Sequence, residues 1–235
     1  MNLMVSDNVF DLGRIKLRDL NSALHGASEA DVTRRWVVKN PNGAHAVAAG
    51  IRVPLTVQID GHVGYYCAGM NQRATVIVNG NAGVGVAENM MSGAVHVHGD
   101  ASQAAGATGR GGQLIIDGNA AARCGISMKG IDILVKGSIG HMSAFMGQAG
   151  DLIVLGNAGE YLGDSLYEAR LFVRGSVASL GSDCIEKPMK DEHKSALHEK
   201  LKQLGVAGEV DVSSFKRYGS ARRLYNFHVD NAGAY

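Results

Sequence analysis

Two glycine clusters, a pair of histidines and three isolated cysteines are where this sequence offers reactive or ligand-binding groups. The stretch Thr75 to Gly93, TVIVNGNAGVGVAENMMSG, runs an apolar strand straight into Gly80-x-x-Gly83-x-Gly85. A strand that enters glycines can present backbone N–H groups to a phosphate. The dinucleotide fingerprint, though, is G-x-G-x-x-G opening a helix. Here VAENMMSG leads into a second strand-like segment, AVHVHG, so a tight turn is the better reading. The loop Gly106-Ala-Thr-Gly-Arg-Gly-Gly112 adds a cation, Arg110, and is the stronger anion candidate. It too reads first as a corner. His96 and His98 alternate on one strand and share an outward face, which fits a solvated pair better than a metal site. Cys124 stands beside Arg123, the neighbour a reactive thiol needs, against the plainer reading of a small packed residue. Cys67, Cys124 and Cys184 are odd in number and lack C-x-x-C spacing. That fits reduced thiols better than a disulfide framework or a zinc site.

The elements that hold these groups repeat. Gly61, Gly80, Gly99, Gly118, Gly137, Gly156 and Gly175 recur every 19 residues, with no insertion or deletion. A repeat of this length sets the fold before any local motif is read. Two residues before each glycine stand Ile59, Val78, Val97, Ile116, Val135, Val154 and Val173. Four before stand Val57, Val76, Val95, Leu114, Ile133, Leu152 and Leu171. These aliphatics alternate with mostly polar residues, the period of a strand with one buried face. One residue after each glycine comes a polar turn former, His62, Asn81, Asp100, Asn119, Ser138, Asn157 or Ser176. Seven after comes a small one, Ala68, Ala87, Gly106, Gly125, Ala144, Gly163 or Ser182. No single repeat can bury its aliphatic face, but stacked repeats can. The pattern predicts an all-β parallel β-helix of about seven coils, roughly 34 Å long at strand spacing. The recurring glycine is expected at a sharp turn with positive φ. Cys67 and Cys124 then share one row three coils apart, about 14 Å, too far for a disulfide.

The hand follows from a row that fails. Left-handed hexapeptide helices repeat every 18 residues with a third aliphatic row. Here that row would be Gly69, Glu88, Ala107, Ile126, Phe145, Asp164 and Asp183, which is not aliphatic. A right-handed coil is predicted, and the left-handed acyltransferases are set aside.

Three regions are expected. Residues 1–45 form an N-terminal cap, in which Leu17, Leu20 and Leu24 suggest a short helix over the first coil and RRWVVKN a strand. Residues 46–185 form the β-helix. Residues 186–235 carry a helix after Pro188, with Met189, Leu197, Leu201 and Leu204 near one stripe and Gly205 as its stop. A tail rich in aromatics and arginine follows, as either a strap on its own coil or a docking arm. Caps are needed because a β-helix leaves open strand edges at both ends.

One row reads as a surface for another protein. Eleven residues after each glycine stand Gln72, Met91, Arg110, Lys129, Gln148 and Tyr167, with Met70, Met90, Met128 and Met146 close by. Methionine adapts to irregular partners; the alternative is an ordinary solvated or packed edge. The candidate interface is Arg110 and Lys129 here, with Arg222, Arg223, Tyr225 and Phe227 in the tail. A net charge of +1 over 235 residues gives no reason to expect nucleic acid or an acidic membrane as partner. The opening residues MNLMVSDNVFDLG lack a basic region and a long apolar run. No window of about 18 apolar residues spans a membrane. A cytoplasmic location is expected.

At this point longer segments carry a resemblance. GHVGYYCAGMNQRATV, GVAENMMSG, GDASQAAGATGRGG, RCGISMKG, GHMSAFMGQAG and GDSLYEARLFVRGS resemble the glycine-repeat domain that ends glutamate synthase large subunits. That domain also occurs free-standing, as a separate subunit of the N-methylglutamate synthases (methylamine–glutamate N-methyltransferases). With VFDLGRIKLRDLNSALH at the start and RRLYNFHVDNAGAY at the end, nearly the whole chain is similar to that free-standing form. The corresponding subunit of formylmethanofuran dehydrogenase shares the repeat and is less alike at both ends. The resemblance implies a structural, non-catalytic subunit of a hetero-oligomer that makes N-methylglutamate and ammonia from glutamate and methylamine. Its implied partners are a class II glutamine-amidotransferase-like subunit and a synthase-like subunit bearing FMN and iron–sulfur. The sequence fits that division of labour. Residue 2 is Asn2 rather than a cysteine nucleophile, and no cysteine cluster or defensible flavin phosphate site is present. Two alternatives stay open: the equivalent subunit of glutamate synthase or formylmethanofuran dehydrogenase, and a subunit whose Arg110, Lys129 or His141 lines a path for ammonia or methylamine.

Overall fold

The computed structural model describes residues 8–206, 208 and 210–223. Each glycine-headed repeat forms a short strand: β3 (Thr56–Asp60), β4 (Thr75–Val78), β5 (Ala94–Val97), β6 (Gln113–Ile116), β7 (Asp132–Val135), β8 (Asp151–Val154) and β9 (Arg170–Val173). Consecutive strands pair in parallel, and paired residues are one period apart. Val57 lies beside Val76, which lies beside Val95, and so on to Leu171; Ile59 begins the second row, which ends at Val173. Every member of both rows is fully buried, at roughly 1.5–3 kcal/mol of hydrophobic stabilisation per side chain. A second wall is stitched by single parallel bridges through Val63, Ala82, Ala101, Ala120, Ile139, Ala158 and Val177. The parallel β-helix predicted from the sequence is what the chain forms.

The recurring glycines are needed for a reason other than the expected one. Of the seven, only Gly61 has positive φ. At Gly80 an added Cβ would sit 2.7 Å from the carbonyl carbon and oxygen of Gly61. At Gly156 it would sit 2.5 Å from the carbonyl oxygen of Gly137. The coils touch backbone to backbone at this corner, so close approach excludes a side chain. The left-handed residues lie elsewhere, five, seven and nine positions after the glycine. Tyr66, Ala68 and Met70 show this in one coil, and Met142, Ala144 and Met146 four coils on.

The polar residue after each glycine builds a ladder. Asn81 Oδ1 accepts from the backbone N–H of Asp100, Asp100 Oδ1 from Asn119, Asn119 Oδ1 from Ser138, Ser138 Oγ from Asn157 and Asn157 Oδ1 from Ser176. Each rung satisfies a turn amide that the coil itself leaves unpaired.

Two more strands extend the sheet below β3. β2 (Arg35–Lys39) pairs in parallel with β3, and β1 (Asn8–Asp11) in parallel with β2. Phe10 stacks on Trp36 with ring centroids 5.7 Å apart. Helix α1 (Leu17–Gly26) buries Leu20 and Leu24 in the main core. Its Asn21 side chain donates to the carbonyl of Ala46 and accepts from the amide of Ala48, clasping the helix to the coil.

The far end closes differently. β10 (Cys184–Lys187) leads into helix α2 (Asp191–Gln203), and β11 (Lys216–Ser220) then inserts between β9 and β10, antiparallel to both. Gly205, with φ of 79°, ends the helical turn. α2 lays Leu197 and Leu201 over Leu134, Ile153 and Phe172, on the outer face of β7 to β9. The expectation of one buried face and one polar face therefore fails on these three strands. Their middle residues are apolar on the outside, and the helix covers them. Around this second core Lys200 Nζ lies 2.6 Å from Asp132, and Arg170 grips the buried carboxylate of Asp151 with bonds of 2.6 and 2.8 Å. Phe215 and Tyr218 are buried, so that part of the tail is strapped to its own coil.

Candidate partner interface

The row eleven residues after the glycine forms one edge of the stack. Arg110 and Lys129 are both exposed on it, on adjacent coils. Lower on the same edge Met70 and Met91 stand 57% and 47% exposed and, with Gln72, Arg73 and Asn89, line an open groove of about 560 Å³. Tyr65 and Tyr66, each 49% exposed, stand on the coil that carries Met70, and the Tyr65 ring lies 4.5 Å from that of His45. Met70 and Met91 are thus large apolar side chains left half exposed around one groove. The tyrosines are a signal that the periodic pattern hides. They fall four and five residues after Gly61, on the return path, in two rows whose residue types vary from coil to coil.

Two methionines expected at this edge are not there. Met90 and Met128 are fully buried, one residue before the edge row, where side chains point inward and fill the coil. Met146 is only partly exposed. The tail arginines reach the far end of the stack. Arg222 makes paired contacts of 3.0 and 3.1 Å with Glu168, next to Tyr167 of the edge row. The backbone N–H of Arg223 donates to Asp183. Tyr225 and Phe227 lie outside the described residues. His141 stands four residues after its glycine, in a different row from Arg110 and Lys129.

The histidine pair is not simply solvated. His96 Nε2 and His98 Nδ1 lie 3.0 and 2.7 Å from the same carboxylate oxygen, Oδ2 of Asp117. A carboxylate only accepts, so each of these ring nitrogens carries its proton. Lys136 Nζ pairs with the other oxygen, Oδ1, at 2.9 Å. Burial works to raise the Asp117 carboxyl, but Lys136, His98 and His96 outweigh it and hold it down at about 2. The signal for this cluster is present in the sequence. His98, Asp117 and Lys136 each stand one residue before a recurring glycine and therefore stack.

The other reactive readings give way to packing. Burial pushes the Cys67 and Cys124 thiols up to about 12, so neither is a thiolate at neutral pH. Gly80 and Gly83 are corners pressed on the coil below, and a Cβ on Gly109 would meet Ile131. No helix among the described residues is long and apolar enough to cross a membrane.

Comparison with known proteins adds two findings, and no family model matches. One solved structure, the formyltransferase/hydrolase complex FhcABCD of Methylorubrum extorquens with methylofuran, holds a chain of the same fold. It matches with a TM-score of 0.55 and 19% identity, over 86% of this chain and 89% of that one. At that identity the likeness concerns architecture. The curated protein GlxC of Rhizobium meliloti (strain 1021) is 63% identical over 227 residues, 97% of this chain and 99% of that relative. At that identity, over nearly the full length of both, the chain belongs to the GlxC family.

Proposed function

We propose that this chain is a structural subunit of a multi-subunit enzyme complex, and that its edge of methionine, arginine and lysine docks a catalytic partner. The observation that carries the reading is that edge: Met70 and Met91 about half exposed around one groove on neighbouring coils, with Arg110 and Lys129 above them. Two features of the relatives support it. GlxC matches over 99% of its own length, so the relative has the same extent as this chain. The related fold occurs inside a complex of several subunits.

The finer reading is a glutamate-synthase-like complex that converts glutamate and methylamine to N-methylglutamate and ammonia. It rests on the residue segments quoted above. An amidotransferase-like and an FMN- and iron–sulfur-bearing synthase-like subunit would carry the chemistry, and the β-helix would hold them in register. A stack whose coils repeat at fixed spacing suits that task, because it presents side chains at about 4.8 Å intervals on a rigid wall.

The test is co-purification of the tagged chain from its native cell, with mass spectrometry of the partners and a flavin absorbance spectrum. A yellow complex that turns over methylamine and glutamate supports the full reading. One that uses glutamine and 2-oxoglutarate instead removes the methylamine assignment and keeps the scaffold. Arg110→Glu with Lys129→Glu should weaken assembly at least about tenfold, and unchanged assembly removes the interface. Alanine at either position that lowers turnover without loosening the complex would make this edge the wall of a substrate path.

A further inference from the structure

We propose that His96, His98 and Asp117 form a binding site for a late first-row divalent cation, with zinc as its first candidate. The three ligand atoms all lie within 4.8 Å of one another. Zinc bonds of about 2.0–2.1 Å in a tetrahedron set neighbouring ligands about 3.3 Å apart. The present separations from Asp117 Oδ2, 3.0 Å to His96 and 2.7 Å to His98, need only tenths of an ångström to open to that spacing. Two imidazoles and one carboxylate are a donor set that suits zinc and its neighbours better than magnesium or calcium.

The fold pre-positions this set. His96 and His98 alternate on the strand β5 and its next residue, so both imidazoles leave the sheet on the same face. Asp117 stacks on His98 one coil above, because each stands one residue before a recurring glycine. His98 and Asp117 are anchored by their own amides, which donate to Val78 and Val97 of the coils below. Ile77 and Ile115 flank His96 in register on either side, walling the site with apolar surface. Lys136 is ion-paired with Oδ1 and leaves Oδ2 to the histidines, the place of an outer partner. Its charge cancels that of the carboxylate, and the affinity then rests on the imidazoles. On binding, each imidazole moves its proton to its other nitrogen. The His98 side chain is 44% exposed, so the fourth position opens to water, the arrangement of three protein ligands plus solvent.

The experiment is calorimetric titration of the untagged full chain with Zn²⁺, paired with the visible spectrum of the Co²⁺-loaded protein. One saturable Zn²⁺ per chain is expected, with a Co²⁺ spectrum of four-coordinate nitrogen and oxygen ligands. His96→Gln, His98→Gln and Asp117→Asn should each weaken binding by at least about tenfold. His198→Gln, on the exposed side of α2, should change nothing. Far-UV circular dichroism checks that the variants keep the coil. Absence of saturable uptake by the wild-type chain overturns the proposal. So does uptake by the three variants that equals the wild type. Neither result bears on the docking edge, which shares no residue with the site.

Discussion

The outer face of the sheet carries one row of residues to two different ends. On β3 to β6 the row three residues before each glycine is Gln58, Ile77, His96 and Ile115, and all four remain partly exposed. On β7 to β9 the same row is Leu134, Ile153 and Phe172, all buried beneath α2. The strands, their register and their inner faces are alike in both halves. What differs is a run of large apolar side chains long enough to hold a helix. Polar and ionisable groups follow the same division. The bare half keeps a solvent-facing cluster around Asp117. The covered half draws Asp132 and Asp151 under the helix and neutralises them with Lys200 and Arg170.

If the halves differ only outside, damage at the inner corner should be blind to which half it strikes. Gly80→Ala and Gly156→Ala both drive a methyl group into the backbone of the coil below, at 2.7 and 2.5 Å. Backbone cannot swing aside as a side chain can, so each should cost about 3 kcal/mol or more. Denaturant unfolding of the two variants should give losses within about 1 kcal/mol of each other. A much smaller loss at Gly80 would mean that the bare half is looser throughout, and not only on its surface.

Outer-face truncations should then separate the halves. Leu201→Ala removes a fully buried side chain from the second core and should cost about 3 kcal/mol. Ile77→Ala removes an equal volume from the partly exposed face and should cost less than about 1 kcal/mol. Equal costs would show that something other than α2 stabilises β7 to β9.

These differences are only partly legible in the sequence. The seven glycines and their two aliphatic rows reveal the β-helix and its register, because every coil repeats the same inner constraint. They mislead about the glycine itself, since a period shows that a side chain is excluded but not whether φ or a neighbour excludes it. The covered face can be read in Leu134, Ile153 and Phe172, but Ile77 and Ile115 already make the same row half apolar in the earlier coils, so the row does not show where the cover begins. Met90 and Met128 look like edge residues because a left-handed corner shifts inward and outward by one residue, and strand alternation does not carry through it. The His96–His98–Asp117 cluster emerges only when the stacking rule is applied to side chains on the outer face. The exposed tyrosines at 65 and 66 stand in rows of mixed residue type, where only Tyr161 repeats the position of Tyr66, so the period does not single them out.

The smallest contrast concerns acid. Asp117 is held at about 2, below its usual 3.8, so ionised Asp117 stabilises the folded chain. That contribution is complete above about pH 4 and is lost as pH falls through about 2, because the unfolded chain takes up the proton first. Asp132 has the opposite sign. Burial raises its carboxyl against the pull of Lys200, so its ionisation is harder in the fold, and the penalty disappears as pH falls through its raised value. Asp117→Asn should cost about 1 kcal/mol at pH 7, because the cluster faces solvent, and should flatten the loss of stability between pH 4 and 2. Asp132→Asn removes a group that favours the fold in acid, so its loss of stability on acidification should be steeper than that of the wild type. Thermal unfolding across pH 2 to 7 reads both. Acid limbs that shift in the same direction would mean that the two carboxylates feel one environment, and the division of the outer face would then be one of packing alone.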